Sequence, residues 1–161
     1  MNHLQIAQSY IGKEEVPRGS NWGAFVQTCL ASVGIAFPAA WCQAFVYRVL
    51  KEGGVKSHRT GGCLECWRNS PNKLLAKDAT PENVLPGYQF IYDHGHGKGH
   101  TGFVESVLPK GTMVTIEGNS NTDGSRDGYA VVRLKRRTIH DAGLLGFIKH
   151  TLHPVGLRRG L

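Results

Sequence analysis

The chain has 161 residues, 40% of them hydrophobic, which is enough to bury one core without disulfide staples. No apolar run approaches the roughly 20 residues that cross a bilayer, and no repeat or low-complexity tract stands out, so residues 1–161 are read as a single domain. Lys and Arg number 19 against 12 Asp and Glu, giving a net charge of +7 and favouring an anionic partner: nucleic acid, cell wall or an acidic membrane surface.

The N-terminal stretch MNHLQIAQSYIGKEE has no basic leader followed by an apolar run. The expectation is a protein made in the cytoplasm that acts there or crosses a membrane by another route. Residues 2–12 predict a short helix with Leu4, Ala7 and Ile11 on one face, interrupted by Pro17, Gly19, Ser20 and Asn21. Trp22, Phe25, Val26, Cys29, Leu30 and Val33 form the apolar stripe of a second helix that ends at Gly34, which places Cys29 in the core. Asn21 is positioned to cap this helix. A third helix runs from Trp41 or Cys42 to about Glu52, buries Phe45, Val46, Val49 and Leu50, and stops at Gly53 and Gly54. Residues 55–86 are polar and broken by Gly and Pro, and read as a surface-rich connection with a short helix near Leu64–Trp67.

Strands follow at 88–94, 100–108, 112–119, 129–137 and 143–150. Helices first and strands afterwards predict an α+β domain, with N-terminal helices packed against one side of an antiparallel meander.

The chemistry begins with Cys42. A thiol in the first turn of a helix feels the positive end of the helix dipole, which makes its thiolate easier to form. Such a nucleophile needs a base and a group to orient that base. In DHGHGKGH, His100 opens a strand and Gly102 shares its face, leaving room for a neighbouring element against the imidazole. In TIEGN, Glu117 and Asn119 share a face by the same two-residue period, and either can accept the Nδ1 proton and fix the ring's tautomer.

Other readings compete for these residues. Asp93, His94, His96 and His100 offer metal-ligand types, although HxHxxxH lacks a clear further ligand. The glycines around His94 and His96 equally describe a solvated loop, which is the preferred reading for those two. Cys63 and Cys66 form a single CxxC, open to zinc, a local disulfide or plain packing. The basic groups LKRRT (134–138) and LRRG (157–160) read as a solvated face.

Taken together and in order, SNW (20–22), WCQAFV (41–46), GHTGFVE (99–105) and IEGNSN (116–121) resemble the CHAP family. These are cysteine, histidine-dependent amidohydrolases and peptidases, close to the NlpC/P60 group, with a papain-like core. The resemblance spans roughly residues 3–150 and is nearest to small CHAP domains of phage lysins and other wall-attacking proteins. It implies Cys42 as nucleophile, His100 as base and then acid, Glu117 as the group holding the imidazole, and Asn119 as a further or alternative orienter. It also implies a substrate cleft lined by Asn21, Trp41 and Tyr129, with core packing an equal alternative for Trp41.

The acidic calcium loop of some relatives is replaced by VGIAFPAAW, so neither calcium nor any other cofactor is expected. The implied activity is peptidoglycan hydrolysis by a cysteine amidase or endopeptidase. The implied enzyme is a monomer acting in the periplasm or wall after release or delivery, with a holin, secretion machine or immunity protein as possible partner. Neither a membrane nor a specific nucleic acid is expected as partner. The alternatives are a basic nucleic-acid-binding module, although LKRRT lacks interleaved aromatics, and a zinc-stabilised binding domain.

Overall fold

A computed structural model describes residues 1–123 and 127–152. The basic group at 157–160 and part of the 119–128 loop lie outside the described residues.

Four helices are present: α1 (His3–Ser9), α2 (Ala24–Ser32), α3 (Cys42–Glu52) and α4 (Cys63–Asn69). Asn2 and Gln5 close a capping box that starts α1 and satisfies its first free N–H groups. The start of α2 differs from expectation. Its cap position is Gly23, without a side-chain bond, and Asn21 stands outside the helix with a φ of 52°.

The longest helix is α3, and it organises the core. Ala44, Phe45, Val46, Val49 and Leu50 are fully buried against Leu4, Ala7, Val26, Leu30, Phe103, Ile116 and Val131. Its approach to the sheet is close because Gly118 has no side chain. A Cβ there would lie 2.8 Å from both Cβ and Cγ of Phe45.

Six strands form one antiparallel sheet: β1 (Lys73–Leu75), β2 (Gln89–Gly95), β3 (Lys98–Val107), β4 (Thr112–Ser120), β5 (Ala130–Thr138) and β6 (Leu144–Ile148). The spatial order is β1-β6-β2-β3-β4-β5. The sequence predicts a simple meander, and this holds only from β2 to β5. Strand β6 returns to the far side of β2, where Phe90 opposes Phe147, and β1 pairs outside it.

The segment read as a surface connection holds the expected short helix, α4, which buries only Cys63 and Cys66, and also supplies an edge strand that its polarity did not announce. A second cluster, without any residue of α1–α4, contains Phe90, Tyr92, Val104, Met113 and Phe147, with Val84 and Tyr88 from the chain before β2. Both core clusters draw on the sheet, which makes it a wall buried by alternate residues on two sides.

Replacing Gly118 by Ala forces its methyl into Phe45. The expected cost is about 1–3 kcal/mol from overpacking, read as a lower urea midpoint with an unchanged slope.

Candidate active site

Cys42 is the first residue of α3, so its sulfur sits where the helix has unpaired N–H groups and a positive dipole end. The helix start is held from the other side. Trp41 is fully buried, and its indole N–H donates to Glu15 Oε1 at 3.0 Å. The other oxygen of Glu15 accepts the Gly19 N–H at 2.7 Å. Trp41 therefore anchors the helix that carries Cys42 and does not line an open cleft.

The imidazole comes from β3. His100 Nε2 lies 2.6 Å from Glu117 Oε1, on the adjacent β4. The orienting bond thus uses the opposite ring nitrogen from the one expected, and Nδ1 is the nitrogen left for the thiol. Gly102 also has a different role from the expected one. A Cβ there would meet Glu117 Cγ and the Phe90 ring at 2.9 Å, so the missing side chain makes room for the carboxylate and not for the helix.

Glu117 is fully buried. It accepts two parallel bonds from Arg137, at 2.7 Å from Nε and 2.9 Å from Nη2, and one from the Thr115 hydroxyl at 2.6 Å. Burial alone would raise its pKa, but His100 and Arg137 overrule burial and hold the carboxyl well below the usual carboxylate range. Arg137 packs in turn against the paired rings of Phe90 and Tyr92, 5.5 and 5.0 Å from the ring centres. Tyr92 OH donates to Asp141 at 2.7 Å.

The result is a row of alternating charge: thiolate, imidazolium, carboxylate, guanidinium. Burial pulls the His100 pKa down, yet the hydrogen bonds to Cys42 and Glu117 win and raise it to about 9. The Cys42 thiol is pushed well below its ordinary value, first by its hydrogen bond with Cys63 and, against the cost of burial, by His100. Both directions favour the thiolate and imidazolium form of the pair.

The remaining expected residues are arranged differently. A bulge between Glu117 and Ser120 breaks the two-residue period, and Asn119 takes a φ of 52° at that bulge. Glu117 carries the imidazole contact. Tyr129 is half-buried beneath Arg18, whose guanidinium carbon lies 4.2 Å from the ring centre.

His94 and His96 are exposed at the β2–β3 turn, and His94 stacks on Tyr92. Among the described residues no three His, Cys, Asp or Glu side chains converge as metal ligands. All four cysteines are free thiols, and Cys29 is fully buried in the core.

Three participants escaped the sequence reading: Arg137, Thr115 and Cys63. Thr115 was open to discovery, two residues from Glu117 on the same strand face. Arg137 was hidden inside a basic run taken for solvated surface. Cys63 carried no signal of nearness to Cys42, because it lies 21 positions further on, at the start of a separate helix.

The His100–Glu117 pair gains stability from the fold only where both partners are ionised. Glu117, lowered from 4.5, contributes fully above about that pH; His100, raised from 6.5, contributes fully below that value and loses it as pH passes about 9. Glu117→Gln is expected to move the loss of imidazolium from about pH 9 towards 6.5, followed by NMR titration of the His100 ring.

The CHAP domain family model matches residues 34–119, a span containing Cys42, His100 and Glu117. No curated protein matches the chain by sequence. Among solved structures, that of the wild-type endolysin LysIME-EF1 is similar in fold, with a TM-score of 0.59 at 15% identity. The likeness covers 91% of this chain and 62% of that one, so this chain spans less than two thirds of its structural neighbour. No described helix is long and apolar enough to cross a membrane. The family match covers more than half of the 161 residues, and the chain belongs to the CHAP family of cysteine, histidine-dependent amidohydrolases and peptidases.

Proposed function

We propose that the chain is a single catalytic unit that hydrolyses an amide bond in the peptide part of peptidoglycan, as an amidase at muramic acid or as an endopeptidase. The observation that carries this reading is the convergence of Cys42, His100 and Glu117 at the first turn of α3. The fold likeness to an endolysin supports the choice of substrate.

In this mechanism the Cys42 thiolate attacks the carbonyl carbon. The developing oxyanion meets the Cys42 backbone N–H, which has no partner within the helix. His100, charged and held through Nε2 by Glu117, gives the Nδ1 proton to the departing amine. The neutral imidazole then takes a proton from water, which attacks the thioester and releases the acid. Glu117 stays ionised throughout, because Arg137 and His100 both neutralise it.

The basic character of β5 does not favour a nucleic-acid reading. Arg133 is bound to Glu105, Arg136 to the Asn121 carbonyl and Arg137 to Glu117. These guanidinium groups are engaged within the protein and do not form a free phosphate-binding row. The enzyme would act on the wall after release or delivery from the cytoplasm, working as a monomer, with a holin or secretion machine as route and an immunity protein as protection where it is an effector.

Cys42→Ala is expected to keep the fold, judged by circular dichroism, and to abolish release of soluble fragments from purified sacculi. Fragments released at the wild-type rate by that variant would remove Cys42 from the mechanism. Mass spectrometry of the wild-type digest identifies the bond cut, through the new amine it exposes.

A further inference from the structure

The feature that the mechanism above leaves unused is a second thiol beside the first. Cys63 Sγ lies 3.6 Å from Cys42 Sγ, within hydrogen-bonding range for two sulfurs, and both residues are buried at 7% and 6% exposure. Cys63 opens α4 as Cys42 opens α3.

Its position is built, not incidental. Gly99, the residue before His100, has no side chain where α4 arrives. A Cβ there would stand 3.2 Å from Cys63 Cβ, 3.3 Å from Leu64 Cδ2 and 2.6 Å from the Tyr92 carbonyl oxygen. The Thr60 hydroxyl accepts the Gly62 N–H at 3.0 Å and donates to Glu65, which fixes the chain entering α4. The strand that carries the imidazole is therefore shaped to seat this second thiol.

Two thiols at this distance in a dry site hold at most one negative charge. The surroundings decide which sulfur carries it. Facing Cys42 are the His100 imidazole from β3, the Gln43 backbone N–H of α3 and, farther off, His94 from β2. Glu117 stands behind His100. Around Cys63 stand Cys66 of its own helix and its own backbone N–H, and both sulfurs share one cluster with Ile91, Ile148, Leu64 and Trp67. The imidazoles lie on the Cys42 side, and the hydrogen bond with Cys42, with burial behind it, pushes the Cys63 thiol up.

We propose that Cys63 is a positioning residue for Cys42: it keeps its proton and donates a hydrogen bond to the Cys42 sulfur, holding that sulfur as an anion. This assignment rests on the reading of Cys42 as nucleophile. It deepens that reading by making the nucleophile's environment a thiol pair, in addition to an imidazole.

The test is the pH dependence of Cys42 alkylation by iodoacetamide, mapped by peptide mass spectrometry, which needs no substrate. Cys63→Ala and Cys63→Val remove the donor with different volumes, and Cys63→Ser keeps a hydroxyl donor. Labelling of the buried Cys29 reports whether each variant is folded.

In the folded apolar variants the midpoint for Cys42 labelling should rise by about one pH unit, which lowers the rate about tenfold on the acid flank. Cys63→Ser should recover most of that loss. A wild-type midpoint in either apolar variant would overturn the proposal, as would a serine variant no better than alanine. If both apolar variants unfold, a folded serine variant with a midpoint near wild type supports it and one shifted by a full unit overturns it. A shift in these variants combined with a wild-type protein inert on sacculi would sink the hydrolase reading and leave this one standing.

Discussion

A carboxylate without solvent is the constraint around which this molecule is arranged. Glu117 is fully buried, and an isolated charge there would cost several kcal/mol. It is tolerated because Arg137 binds it through two parallel bonds and His100 meets the same edge. Each of these partners is fixed in turn, Arg137 against a pair of aromatic rings and His100 beside Phe90. Removing any member strands the charge of its neighbour. The imidazole consequently has one orientation, and its free nitrogen faces the helix that bears the thiol.

The helix must arrive at the right depth as well as the right angle. Gly118 on β4 sets that depth, and two glycines on the adjoining β3 make room for the groups around it, each at a close approach. Gly118 admits Phe45 of α3, Gly102 admits the Glu117 side chain, and Gly99 admits the start of α4. Trp41 and Glu15 then tie the first turn of α3 to the N-terminal segment, which runs alongside β5 through the Gly12–Val131 and Glu15–Tyr129 backbone bonds. Cys42 is thus located by packing from several directions, and little of that precision comes from the helix itself.

Much of this was legible along the chain. The spacing of Phe45, Val46, Val49 and Leu50 marks α3, and the double glycine at 53–54 marks its end. Alternation reveals β2 through β5 nearly to the residue, and the motifs around Cys42, His100 and Glu117 carry the family resemblance on their own. The failures are equally specific. Asn21 resembles a cap but sits in a left-handed turn. Asn119 looks like a neighbour of Glu117 on one face until a bulge shifts the register. The return of β6 to β2 leaves no local trace, because strand pairing is chosen by the sheet and not by the connecting turn.

The amino-acid sequence by itself determined every α-helix and every strand but β1, and which side chains carry the functional groups that a nucleophile, a base and an orienter require. Both are local properties, set by apolar period and functional group. Only the tertiary structure decided that Glu117 binds Nε2, that Arg137 turns inwards from a basic run, and that Cys63 meets Cys42. Those outcomes depend on burial, since a buried charge or thiol must find its partner wherever the fold brings one, however distant in the chain.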